Sequence, residues 1–238
     1  MSSRTCLEAL NDKLIYPARR ANFDRKQCEI VGETSWHIPF IWLALFREDD
    51  LVEEEFSAGL ATANMLAPIA ERSKALKQLE AATESLKRAF PGVPHICGYV
   101  DLMLKELDEF PHKYFAIDLF EIEERVDTDE FRRRLRHCLR GFSDPTATEI
   151  FTDHSFLRRI LFFLPRARRF SWKQSLIEMS GLNPRLPIPP ADILLSDADH
   201  SEQTLFNFYR LMPGSAHRTA VWESEESRKR KDLNKDSE

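Results

Sequence analysis

Apolar positions recur at helical spacing along much of the chain. Ala75, Leu79, Ala82, Leu86 and Ala89 are separated by four, three, four and three residues. That stripe lasts little more than two heptads, so it predicts a helix packed on its neighbours rather than a coiled coil. The helical region is read as running from the acidic residues near 50 to Phe90, where Pro91-Gly92-Val93-Pro94 stops it. Ile96, Val100, Met103, Leu104, Leu107 and Phe110 then share one face at a period of 3.6, with Pro111 beyond. Upstream, Ser35 to Phe46 is apolar nearly all round and predicts a short buried helix with Pro39 in its first turn.

Tyr114 to Ile122 fits helical and strand spacing alike; its aromatic content favours a strand over Tyr114 to Phe120. Asp127 or Thr128 can cap a helix whose apolar face is Phe131, Leu135, Cys138 and Leu139, ending at Gly141. Asp153 is read as the cap of a further helix through Leu164, and Ser171 to Ser180 as another, with Gly181 as its stop. Pro184, Pro187, Pro189 and Pro190 predict an extended connector, followed by a docked helix around Leu205 to Leu211. The pattern thus predicts a mostly α fold of at least five helices with one minor strand near 114–120. Residues 1–182 form the helical domain, 183–222 the connector and docked segment, and 223–238 a disordered charged tail. The first 30 residues receive no assignment.

Charge changes this picture more than composition does. The 238 residues carry a net charge of −5 and only seven glycines, too few for glycine-rich phosphate loops or many-turned β architectures. Residues 1–124 hold 14 basic and 22 acidic residues, 125–173 hold 12 and 6, and 174–238 hold 8 and 11, giving −8, +6 and −3. The positive block is almost all arginine, including Arg132, Arg133, Arg136, Arg158 and Arg159. It reads either as a phosphate-binding surface, since arginine forks onto phosphate, or as the internal counterpart of the acidic first half. A sequence pI near 5.9 favours internal pairing. The acidic run Glu48, Asp49, Asp50, Glu53, Glu54 and Glu55 reads as a solvated helix start or as a docking surface for a basic partner.

Catalytic chemistry finds little support. The seven histidines form no HxxxH or HExxH, and the four separated cysteines no CxxC. Such cysteine usage fits a reducing cytoplasm, and the N-terminus lacks the apolar stretch of a signal peptide. The longest apolar run, Ile38 to Phe46, is too short to cross a membrane. Asp153-His154-Ser155 is only an adjacency, and no GxSxG elbow, P-loop or GxGxxG occurs. Asp118, Glu121 and Glu123 suggest a nuclease-like carboxylate set, but no lysine follows at the usual place. No cofactor and no metal ligand set are expected.

The segment Gly32 to Leu43 with its Trp36-His37-Ile38-Pro39, the helical stretch to Phe90, and Tyr114 to Glu121 resemble a group of uncharacterised bacterial proteins. More broadly the chain resembles the immunity proteins of bacterial toxin systems, which are small, cytoplasmic, acidic, glycine-poor and without catalytic motifs. The resemblance implies a non-enzymatic interaction protein that binds and neutralises a cognate toxin. The resemblance carries over no functional residues; the acidic run, read as a docking surface, supplies the partner-binding residues Asp49, Asp50, Glu53, Glu54 and Glu55. The alternative is a nucleic-acid-associated regulator using the block at 125–173, with Arg132, Arg133, Arg136, Arg158 and Arg159 on phosphate.

Overall fold

In the computed structural model the described residues are 4–13, 15, 28–35, 37–58, 61–91, 93, 95–123, 127–153, 166–191 and 202–212. Seven strands and seven helices occur among them: β1 (Arg4–Leu10), β2 (Cys28–Ser35), α1 (Phe40–Leu43), β3 (Leu51–Ala58), β4 (Ala61–Glu71), α2 (Arg72–Ala89), α3 (Ile96–Asp108), β5 (Tyr114–Asp118), α4 (Phe120–Glu123), α5 (Thr128–Gly141), β6 (Thr148–Asp153), β7 (Arg166–Ser171), α6 (Trp172–Ser180) and α7 (Glu202–Leu211). The expected mostly α fold is therefore corrected to a mixed α and β fold. Five strands form one sheet in the order β2-β1-β5-β4-β3, and β6 and β7 form a second sheet. Each neighbouring pair is antiparallel.

The physical reason for the correction lies in the burial of the large sheet. Leu7, Ala9, Val31, Leu66, Ala70, Phe115 and Ile117 face the helices and belong to the main core. Leu10, Met65, Ala67, Ile69 and Ala116 lie on the opposite face in a second cluster with Ile15. Strands buried on both faces lose the alternation of apolar and polar residues that marks a half-buried strand. In β4, Met65, Leu66 and Ala67 are all buried and are also strong helix formers, so the local signal points the wrong way. The helix expected from the acidic run to Phe90 is thus a hairpin, β3–β4, followed by α2. The strand expected near 114–120 is present as β5.

Helix α2 buries Ala75, Leu79, Ala82 and Leu86, and α3 buries Ile96, Val100, Met103 and Leu107. Asp127 caps α5, its carboxylate accepting the Glu130 N–H at 3.1 Å. Ser171 and Gln174 form a capping box on α6, and Gly181 ends that helix at φ 66°, a conformation that favours glycine. Between α5 and α6, a Cβ on Gly141 would lie 2.0 Å from Trp172 Cδ1, so only glycine admits the indole there. The Trp172 indole N–H donates to Cys138 O at 2.9 Å. Of the helix expected from Asp153, only the cap is described, and it is the last residue of strand β6 (Thr148–Asp153), an extended backbone that a cap position also takes. Its remaining positions, 154–165, lie outside the described residues, as does the charged tail at 223–238.

The proline-rich connector is pinned across α3. Tyr99 donates its hydroxyl to Pro189 O at 2.7 Å, and the buried Asn207 of α7 donates its amide to the carbonyls of Asn183, Leu186 and Pro187. With Phe208, Leu211 and Met212 buried, α7 joins the main core. No helix among the described residues is long and apolar enough to cross a membrane.

Candidate functional site

The acidic run and the arginine block meet. Arg132, Arg136 and Arg140 are spaced four apart on α5, so they form one stripe along the helix. That stripe faces the single 3₁₀ turn Glu48–Asp50 and the start of β3. Arg140 grips Glu48 with two hydrogen bonds of 2.7 and 2.6 Å. Arg136 donates to Glu53 at 2.6 Å. Arg132 binds the buried Glu123 at 2.8 Å and stands 3.8 Å from Glu53. The hydrogen bond from Arg140 holds the Glu48 carboxyl below its ordinary range. On the flank of α5, Arg133 pairs with Glu130 and Glu149 at 3.2 and 3.5 Å, and Arg134 pairs with Glu130 and Glu178.

The first acids of the run turn inward instead, towards α2. Asp50 is 4% exposed and accepts hydrogen bonds from the Arg47 N–H at 2.8 Å, Lys74 Nζ at 2.6 Å and Gln78 Nε2 at 2.9 Å. Lys74 also binds Asp49 at 2.9 Å, and that bond lowers the Asp49 carboxyl from its ordinary value. The Arg47 guanidinium donates to the carbonyls of Ala44, Phe46 and Gln78 and lies over the Phe142 ring. Burial pulls its pKa down to about 10, against the opposing pull of Asp50 and Asp49. Arg47 is thus a joint between α1, α2 and the 3₁₀ turn. Nothing in the sequence singles it out, because its partners are mainly backbone carbonyls.

Strand alternation divides the last three acids. Glu53 and Glu55 share the face of β3 turned to α5, and Glu54 points with Val52 to the other face. Glu53, Glu54 and Glu55 are all exposed. Among the described residues, neither Glu54 nor Glu55 makes an ion pair or a side-chain hydrogen bond. Of the expected partner-binding residues, Asp50 is therefore buried in an internal network, Asp49 and Glu53 are paired, and Glu54 and Glu55 stand open. Of the expected phosphate-binding residues, Arg132, Arg133 and Arg136 are paired with carboxylates. Arg158 and Arg159 lie outside the described residues.

Among the described residues the other candidate groups do not converge on one site, and His154 and Ser155 lie outside them. Asp118 accepts the Phe120 N–H at 3.1 Å, Glu121 accepts the Arg4 N–H at 2.9 Å, and Glu123 is held by Arg132. Among the described residues one histidine–serine side-chain pair exists: His137 Nδ1 lies 2.8 Å from Ser175 Oγ. Both residues are buried, at 1% and 0% exposed, so no substrate can reach the hydroxyl and the pair ties α5 to α6. Burial raises the thiols of Cys6 and Cys138 and keeps them protonated. Among the described residues no group of three or more histidine, cysteine, aspartate or glutamate side chains could hold a metal ion. No protein-family model, no curated protein and no solved structure matches this chain.

Proposed function

We propose that the protein is a non-enzymatic binding protein that takes a basic surface of a protein partner at the exposed acids of β3. One observation carries the reading. Every other acid of the run is matched by a cation of the same chain: Glu48 by Arg140, Asp49 and Asp50 by Lys74, and Glu53 by Arg136. Among the described residues Glu54 and Glu55 alone of the run are exposed without a paired cation, one on each face of a strand that the network anchors through Glu53. Open carboxylates on a rigid support steer a cationic partner and orient its encounter. In the immunity reading that partner is a toxin domain, neutralised when its basic surface is covered. The nucleic-acid reading has less to stand on, since its α5 arginines are already engaged by carboxylates.

The test is affinity capture from the native cells with the wild-type chain and with the Glu54→Lys/Glu55→Lys variant as baits, followed by reconstitution with each purified candidate. A basic protein that binds the wild type, weakens with rising salt and is lost with the variant is expected. A partner that binds both baits alike overturns the reading.

A further inference from the structure

With β3 taken as the docking strand, as proposed above, its backbone determines how a partner can be held. In an antiparallel sheet successive residues turn their N–H and C=O alternately to one neighbour and then to the other. Arg72 directly follows β4, and its N–H donates to Lys113 O at 2.7 Å, on the β5 side. Ala70 and Pro68 therefore also face β5, while Ile69, Ala67 and Met65 face β3. This parity explains how a proline is tolerated inside the sheet. Pro68 lies one residue beyond the β4–β5 pairs, which run from Ile69 to Glu71, and its missing N–H costs the β3–β4 ladder nothing.

The register then assigns the groups of β3. Val52 lies opposite Ala67 and Glu54 opposite Met65, with no shift along the strand, so Val52 and Glu54 bond to β4. Glu53 and Glu55 turn their N–H and C=O outward. Leu51, opposite Pro68, fits the same parity, since its N–H donates to Glu48 O. β3 is the last strand of the sheet, and no other element hydrogen-bonds to the backbone of Glu53 or Glu55 among the described residues.

We infer that this edge accepts an added strand from the partner, an extended segment carrying two consecutive lysines or arginines. The outward backbone groups of Glu53 and Glu55 supply the ladder, the mode by which sheet edges capture extended peptides. Charge selects the occupant. Glu53 is already matched by Arg136, which leaves Glu54 on one face and Glu55 on the other. Consecutive residues of a strand point to opposite faces, so a Lys-Lys pair places one ammonium beside each carboxylate. A second copy of this chain is the wrong occupant, because two β3 edges would bring like charges together.

The experiment uses the full ¹⁵N-labelled chain and the capped peptide Thr-Val-Thr-Lys-Lys-Thr-Val-Thr, together with two forms of it methylated at alternate backbone nitrogens in either phase. With the parent peptide bound, amide exchange at Glu53 and Glu55 is expected to slow about tenfold or more, while Glu54, already bonded to β4, changes little. One methylated phase binds like the parent and the other fails, because only one phase removes donors that face the edge. Binding with unchanged exchange at Glu53 and Glu55, equal binding of both phases, or no binding at low salt overturns strand addition. Equal binding of the parent peptide to the Glu54→Lys/Glu55→Lys chain would instead overturn the underlying acidic docking site.

Discussion

Asp50 and Glu54 are four residues apart in one acidic run, yet they occupy opposite situations. Asp50 is 4% exposed and receives three hydrogen bonds, whereas Glu54 is exposed and without an ion pair among the described residues. The difference comes from what stands behind each position. At Asp50 the chain is still in the 3₁₀ turn, and the first turns of α2 deliver Lys74 and Gln78 to it. By Glu54 the chain has become a strand at the sheet edge, and only alternate side chains face α5. A run of like charges is thus not one surface: its first part holds the fold together, and its last two acids are exposed and unpaired among the described residues.

The largest break in that comparison is removal of the inner carboxylate. Asp50→Ala leaves Lys74, Gln78 and the Arg47 N–H without their shared acceptor in a mostly buried place. We expect a loss of about 3–5 kcal/mol, towards the lower end because Lys74 remains partly exposed. Asp50→Asn keeps hydrogen-bonding capacity and loses less. Denaturant titration of both variants checks the order. If Asp50→Ala proved as stable as the wild type, the inner network would be ornamental and the division of the run unfounded.

Acid titration sharpens the same contrast. The carboxyls of Glu48 and Asp49 are depressed in the folded chain by bonds from Arg140 and Lys74. Their stabilisation is present above the unfolded values and is lost as pH falls through the depressed ones. Asp49 is exposed and Glu48 partly so, and solvent screens both pairs, so each contributes below about 1 kcal/mol. A larger step precedes them. His37, 7% exposed, is lowered to about 4 by burial and by the Arg210 guanidinium beside it. The unfolded chain therefore takes up a proton between pH 6.5 and 4 that the folded chain refuses, and stability falls with pH across that window. The loss is on the order of 3 kcal/mol at most. A His37→Gln chain should lose the slope between pH 6.5 and 4 and keep the one below it, as followed by chemical denaturation at each pH. An unchanged upper slope would remove His37 from the account.

These expectations also show where the sequence was legible. The faces of α2, α3 and α5 could be read from spacing because each helix buries one side. β5 was read from its aromatic content. β1 and β4 are not legible, because Leu, Ala and Met favour helix locally and burial of both sheet faces removes alternation, and β3 is hidden because its three consecutive glutamates favour helix and show no alternation. The meeting of acids and arginines was one of two readings of the charge blocks. The spacing of Arg132, Arg136 and Arg140, four apart on one helix face, is the sequence signal for it. The separation of Glu54 and Glu55 from their neighbours could not be read at all, since it depends on register and on where β3 begins.

The smallest effect on stability, and the most telling about the edge, is expected when the outer acids are replaced. Glu54 and Glu55 make no ion pair among the described residues, and like charges crowd the strand. Glu54→Thr/Glu55→Val should therefore change folding stability by less than about 0.5 kcal/mol in either direction. Its effect should appear in association instead. The outward N–H and C=O groups of Glu53 and Glu55 remain available in the variant, but the charges that oppose pairing with another copy are gone, and β-branched side chains favour an added strand. Sedimentation velocity across concentration should show self-association of the variant and less of it in the wild type. If the variant sediments as the wild type does at every concentration, the edge is closed by something other than charge, and Glu54 and Glu55 lose their distinction from the inner acids.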